Sequence, residues 1–219
     1  MPSFRIIVGC LMLVLARPAY IYSQKITFEG GVILGIYGVD IKGDKEGFWD
    51  YDYKKSGILG ISAGPFVKCN FTPGTYGVLE LRYIKKGTTF GYINQYFTQS
   101  FETIKFDYIE IPVLIGKRIV DNTDFRKIDF SFETGFAFAK LYSSRLGYME
   151  LTRRTNSVSL SGFKNFDVSW VVQIKFPYRI VKKERLMVGL RMERSLVTIH
   201  NKYKLYNFDY GVELNYVFK

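Results

Sequence analysis

Two short features carry residue types that catalysis uses. Gly60-Ile61-Ser62-Ala63-Gly64 matches the G-x-S-x-G pattern of a nucleophile elbow, which needs a sharp strand-to-helix turn and a nearby histidine and acid. His200 is the only histidine in 219 residues, and Ser195 and Glu193 stand a few positions before it. One histidine leaves no room for multi-histidine metal sites. The Ser62 motif sits inside an extended alternating run rather than at a turn, and the neighbours of His200 supply no nucleophile. Asp40, Asp44, Asp50 and Asp52 form a carboxylate-rich stretch without the EF-hand order. Lys42, Lys45, Lys54 and Lys55 interleave with them, as in a solvated loop. The expectation is a protein with no catalytic residues, no metal and no cofactor.

A larger charged set has a regular spacing. Glu80, Arg82, Glu110, Glu133, Lys175, Arg191, Glu193 and Glu213 each lie in a run where apolar residues alternate with polar or small ones. That period of two places them on one face of extended strands. In the last run Tyr206, Phe208, Tyr210, Val212, Leu214, Tyr216 and Phe218 share one face. Asn207, Asp209, Gly211, Glu213 and Asn215 share the other. Similar runs lie at about 26–37, 57–70, 76–86, 104–118, 128–141, 166–176 and 186–193, which makes eight strands. Helical stripes are scarce.

The connections are long at 38–56, 87–103 and 142–163, and short at 71–75, 119–127, 179–184 and 200–205. Phe71-Thr72-Pro73-Gly74-Thr75 has the order of a type II turn. Long and short connections alternate until the last, as in an up-and-down barrel whose long loops share one end. The predicted fold is therefore all-β: an eight-stranded antiparallel up-and-down barrel.

Residues 1–23 read as a signal peptide, with Arg5 before the apolar stretch Ile6–Ala16, and cleavage is expected after Ser23. The barrel domain is then 24–219. Cys10 would leave with the leader, so Cys69 remains alone and no internal disulfide holds the exported chain. A closed sheet supplies that constraint instead.

Alternation alone does not say which face meets solvent. A soluble, lipocalin-like barrel would bury the apolar face. The aromatic content of 17%, with 17 Tyr and 19 Phe, exceeds what a small eight-stranded interior holds but suits a wall facing lipid. The opposite face mixes Gly, Ala and Ser with Glu, Arg and Lys, as a narrow polar lumen requires. The chain also ends Tyr216-Val217-Phe218-Lys219, with an aromatic beside its last residue. These features favour a transmembrane β-barrel in the cell outer membrane of a Gram-negative envelope, with lipid and lipopolysaccharide around it. The eight charged residues would then face the lumen and must pair, because an unpaired buried charge is costly.

The net charge is +11. Lys117, Arg118, Arg126, Lys127, Arg179, Lys182, Lys183 and Arg185 concentrate it at the short-turn end. Export and the lack of a basic binding face argue against nucleic acid. This rim suits anionic headgroups or periplasmic proteins.

Glu80-Leu81-Arg82-Tyr83-Ile84-Lys85-Lys86-Gly87 and Asp107-Tyr108-Ile109-Glu110-Ile111-Pro112-Val113-Leu114-Ile115 resemble the PorT-like family of outer-membrane β-barrels, in which an E-L-x-Y-x-x-K-G strand precedes a Y-x-E-I-P-x-L strand. The resemblance implies a structural or assembly component linked to protein secretion or envelope organisation. It carries Glu80 and Glu110 over as lumen-facing motif positions and brings no catalytic residues. The other function open to such a barrel is transport of small solutes or hydrophobic compounds.

Overall fold

The computed structural model describes residues 26–43, 54–93, 99–123, 126–150, 153–154, 158–178 and 186–218. The expected signal peptide lies outside them, as do Asp44, Asp50 and Asp52. The strands are β1 (Thr27–Gly43), β2 (Lys54–Thr72), β3 (Thr75–Glu80), β4 (Arg82–Ile93), β5 (Gln99–Thr123), β6 (Arg126–Glu150), the short β7 (Arg153–Arg154) and β8 (Val158–Ser159), β9 (Phe166–Tyr178), β10 (Leu186–Ser195) and β11 (Leu205–Val217). Every pairing is antiparallel. The first strand closes on the last, with Leu34 opposite Leu214 and Val32 opposite Tyr216. β3 and β4 together form one stave, so among the described residues the ring has eight: β1, β2, β3–β4, β5, β6, β9, β10 and β11.

The third stave is interrupted at Leu81 for a local reason. Its N–H donates to the Pro65 carbonyl at 3.0 Å, but Pro65 has no N–H to return the second ladder bond. The β2–β3 connection is the two-residue turn Pro73-Gly74, where Gly74 has a φ of 85° and supplies the left-handed conformation that a type II turn demands.

Outward positions are apolar and exposed. On β5 they run Ile109, Ile111, Val113 and Ile115, and on β6 Phe132, Phe136 and Phe138. Inward positions are buried. The wall therefore presents its hydrocarbon to the surroundings, the reverse of a soluble barrel.

The lumen is more apolar than a uniformly polar channel. Ile33, Phe66, Tyr76, Val78 and Leu114 fill it near the short turns. Tyr37, Val39, Ile84, Phe90, Phe106 and Tyr108 fill it toward the other end, with Ile199 and Leu205 from the end of the chain. Small residues beside them make the space, so aromatic rings do fit inside. At Gly35 a Cβ would sit 2.6 Å from the Tyr37 ring, and at Gly211 it would sit 2.7 Å from that ring.

Several strands outrun their alternating segments. β5 reaches back to Gln99 and β6 forward to Glu150, both well into stretches that lack alternation. Above a membrane both faces of a hairpin meet water, so ladder bonds continue without a period-two pattern. Asp40 and Lys42 accordingly belong to β1, where Asp40 pairs with Lys42 at 2.8 Å and with Lys55 at 2.9 Å.

Replacing Gly35 with Val should force the Tyr37 ring from its place and cost about 1–3 kcal/mol. Urea unfolding of the barrel in liposomes measures this as a lower midpoint.

Candidate functional site: a charged network closing the lumen

Alternation aims eight charged side chains at one axis, and the register decides which meet. Arg82 stands opposite Glu110 across β4 and β5, and Arg191 opposite Gln173 across β10 and β9. All of Glu80, Arg82, Glu110, Glu133, Lys175, Arg191, Glu193 and Glu213 are at most 2% exposed.

Arg191 is the hub. Its Nη1 lies 3.0 Å from Glu80 and 3.7 Å from Glu213, and its Nη2 lies 3.1 Å from Glu193 and 3.3 Å from Glu110. Arg82 holds Glu213 at 2.8 Å and Glu80 at 3.3 Å. It also donates to Ser62 Oγ at 2.7 Å and to the Tyr37 hydroxyl, which in turn donates to Glu213. Lys175 pairs with Glu133 at 3.0 Å, and Tyr76 donates to the same carboxylate at 2.8 Å. Gln173 joins this pair to the hub, donating to Glu133 and accepting from Arg191.

Sequence reasoning left out two members of the network. Lys86 reaches Glu193 at 2.6 Å, Asp209 at 2.7 Å and Glu110 at 3.3 Å. The parity of Glu80 and Arg82 extends to Lys86, and Asp209 sits on the polar face of the last run, so parity was the signal for both. Beyond them Asp167 accepts from Ser195 Oγ at 2.7 Å and from Asn207 at 2.8 Å.

The catalytic candidates are not assembled into a catalytic site. Ser62 lies mid-strand, with its hydroxyl on Arg82. Ser195 is bonded to Asp167, and Glu193 to Lys86. His200 is placed instead as part of a lid. Its Nδ1 accepts from the N–H groups of Lys202 and Tyr203, each at 3.1 Å. Its ring packs against Phe163 at 4.9 Å and Tyr203 at 5.0 Å, and Phe163 reaches Phe106 in the lumen at 4.6 Å. A bridge between Phe163 and His200 ties the two connections together over the barrel mouth. Among the described residues no group of three or more His, Cys, Asp or Glu is arranged to hold a metal.

At the basic rim Lys117 and Arg118 are exposed, and Arg118 forms a two-pronged pair with Asp129 at 2.9 and 2.8 Å. Residues 179–185 and the side chains of Arg126 and Lys127 lie outside the described residues.

Residues 22–201 match the model of the outer membrane protein beta-barrel domain. The chain belongs to that family. It is an outer-membrane β-barrel protein, which fixes lipid as the medium around its apolar wall. No curated protein matches it. Among solved structures it is similar to Ail, the attachment invasion locus protein of Yersinia pestis, at 11% identity over 87% of this chain and 99% of that one, with a TM-score of 0.43. The Neisserial surface protein A matches at 6% identity over 89% and 100%, with a TM-score of 0.44. OprG from Pseudomonas aeruginosa matches at 11% over 88% and 95%, with a TM-score of 0.41.

Replacing Arg191 with Met leaves four buried carboxylates short of a partner and should cost about 3–5 kcal/mol. Arg118→Gln, at an exposed pair, should cost under about 1 kcal/mol. Urea titration of both variants in liposomes compares them directly.

Burial, with Lys202 nearby, lowers the His200 pKa below its ordinary 6.5. The folded protein then binds fewer protons than the unfolded chain between these two values. The lid contribution should be complete above pH 6.5 and fall away as pH drops through the folded value. His200→Gln should flatten that dependence, read by proteolysis of the 196–204 connection across pH.

Proposed function

We propose that this barrel is a structural or assembly component of the outer membrane, PorT-like, serving protein secretion or envelope organisation. The observation that carries the reading is the filled lumen. Arg191 and its four carboxylates occupy the middle, and apolar side chains occupy both ends. An interior closed in this way leaves the mouths and the outer wall as working surfaces. The paired motif stretches support the same reading, since Glu80 and Glu110 both converge on Arg191. The exposed Lys117 at the short-turn rim offers charge for a periplasmic partner.

Deleting the gene should deplete secreted and surface-attached proteins while leaving small-solute uptake unchanged, as measured by surface proteomics and uptake assays. In planar bilayers the purified barrel should show no steady conductance. Steady conductance that falls in Arg82→Gln or Arg191→Gln would instead establish the transport function.

A further inference from the structure

We propose that the outer wall across β4, β5 and β6, at the edge away from the short turns, binds the phosphates of a glycolipid headgroup in the outer leaflet. This rests on the outer-membrane placement alone and not on the secretion role.

The position follows from the outward series on β5. From Lys117 at the short-turn end it runs through Ile115, Val113, Ile111 and Ile109 to Asp107 and Lys105. Ten residues from Lys117 to Asp107 rise about 33 Å along the strand, or roughly 25 Å along the membrane normal at a tilt near 40°. That matches the apolar band of an outer-membrane barrel and sets Asp107 and Lys105 at headgroup level. Short turns face the periplasm, so this level belongs to the outer leaflet.

Cations gather there on adjacent strands. Lys85 stands opposite Asp107, Lys140 opposite Ile109, and Lys105 directly opposite Arg145. All four of these cations are exposed. Among the described residues Asp107 is the acid on this patch, and it is already engaged by Arg145 at 2.6 Å and by the Tyr83 hydroxyl. Lys85, Lys105 and Lys140 therefore remain in excess.

Like charges directly opposite one another on a sheet are unfavourable. Asp107 answers the Arg145 charge of the Lys105–Arg145 pair but not that of Lys105, whose charge an added anion would offset. Beside it the ladder skips Tyr142, which is 83% exposed. A cleft of about 410 Å³ opens at this bulge, lined by Tyr142, Ser143, Arg145, Ser159 and Asn165 among others. Hydroxyl, amide and guanidinium groups in one cleft suit a phosphorylated sugar. The exposed rings of Phe138 and Phe166 lie next to Lys140, on the lipid side of the patch. Groups that meet this patch are those of the surrounding leaflet rather than of a solute in the lumen.

The test is binding of fluorescent lipid A to the folded barrel in zwitterionic micelles, with Lys85→Gln/Lys105→Gln/Lys140→Gln against wild type. Each lost cation should weaken binding on the order of fivefold, so the triple variant should bind about a hundredfold more weakly. All three side chains are exposed, and gel mobility without boiling verifies that the variant is folded. Lys117→Gln, at the opposite edge, should bind as wild type does. Dephosphorylated lipid A should bind wild type as weakly as phosphorylated lipid A binds the triple variant. Inorganic phosphate at equal concentration should not displace the lipid, because a free ion lacks acyl chains lying against the wall. Equal binding by wild type and triple variant, or equal binding of the two lipids to wild type, would overturn the proposal. So would displacement by inorganic phosphate, which would mark a simple anion site.

Discussion

Arg191 lies within 3.7 Å of Glu80, Glu110, Glu193 and Glu213, four carboxylates from four different segments of the wall. Much else in the structure depends on that one guanidinium being surrounded. An eight-stranded ring encloses little more than side chains, so anything inward must fit and anything charged must be paired. Arg82, Lys86 and Lys175 repeat the arrangement around the hub, and Tyr37, Ser62, Tyr76 and Gln173 add hydrogen bonds to it, although Nε of Arg191 and of Arg82 are left without one. The glycines at 35 and 211 belong to the same constraint, since the Tyr37 ring takes up the space a side chain there would need. Buried pairs of this kind add little net stability over an apolar filling. They do make the filling specific, because a slip of one residue in any strand would turn charges onto the lipid face.

The wall is two surfaces built from one alternation, and each surface follows a different rule. Outward, a charge at the bilayer midplane costs roughly 2–4 kcal/mol, so the β5 series carries none between Lys117 and Asp107. Inward, charge is admitted where its partner stands on a neighbouring strand. Closure of β1 on β11 removes the exposed edges an open sheet would leave in lipid. Proline is accommodated as well: opposite Pro65 the third stave breaks into β3 and β4 without leaving the ring.

How much of this the sequence displays depends on where alternation holds. In Phe166–Phe176 and Tyr206–Phe218 both faces are plain, so the outward rings and the inward Lys175 and Glu213 are readable directly. The strand ends are not. Residues 99–103 and 142–150 extend the ladder beyond the apolar band, and no periodicity marks them. The apolar filling was hidden for another reason. Ile33 and Tyr37 lie in a strand diluted by glycine, and a strict apolar-out reading has no place for inward rings. Lys86 follows Lys85 at a segment end, where parity alone separates a lumen cation from a headgroup cation. Which carboxylate meets which cation depends on residues up to 131 apart, as for Arg82 and Glu213, and only the closed ring brings them together.

Outside the filled interior the barrel has three surfaces, and they differ in chemistry. The short-turn rim presents Lys117 and the paired Arg118 and Asp129. At the opposite mouth lies the connection carrying His200, whose imidazole accepts from two backbone N–H groups, meets Phe163 edge to face and lies tilted against Tyr203. The outer wall carries cations at the edge of its apolar band. The charged core ties all three to one frame, since Arg191 joins β3, β5, β10 and β11 and Lys86 joins β4 to β5, β10 and β11. Arg82–Glu213 and Arg191–Glu80 cross the lumen, so staves that are distant in the ladder are linked through the interior as well. Net stability does not favour ion pairs over an apolar filling of the same volume, whereas register does, since each charge is tolerated only on the inward face.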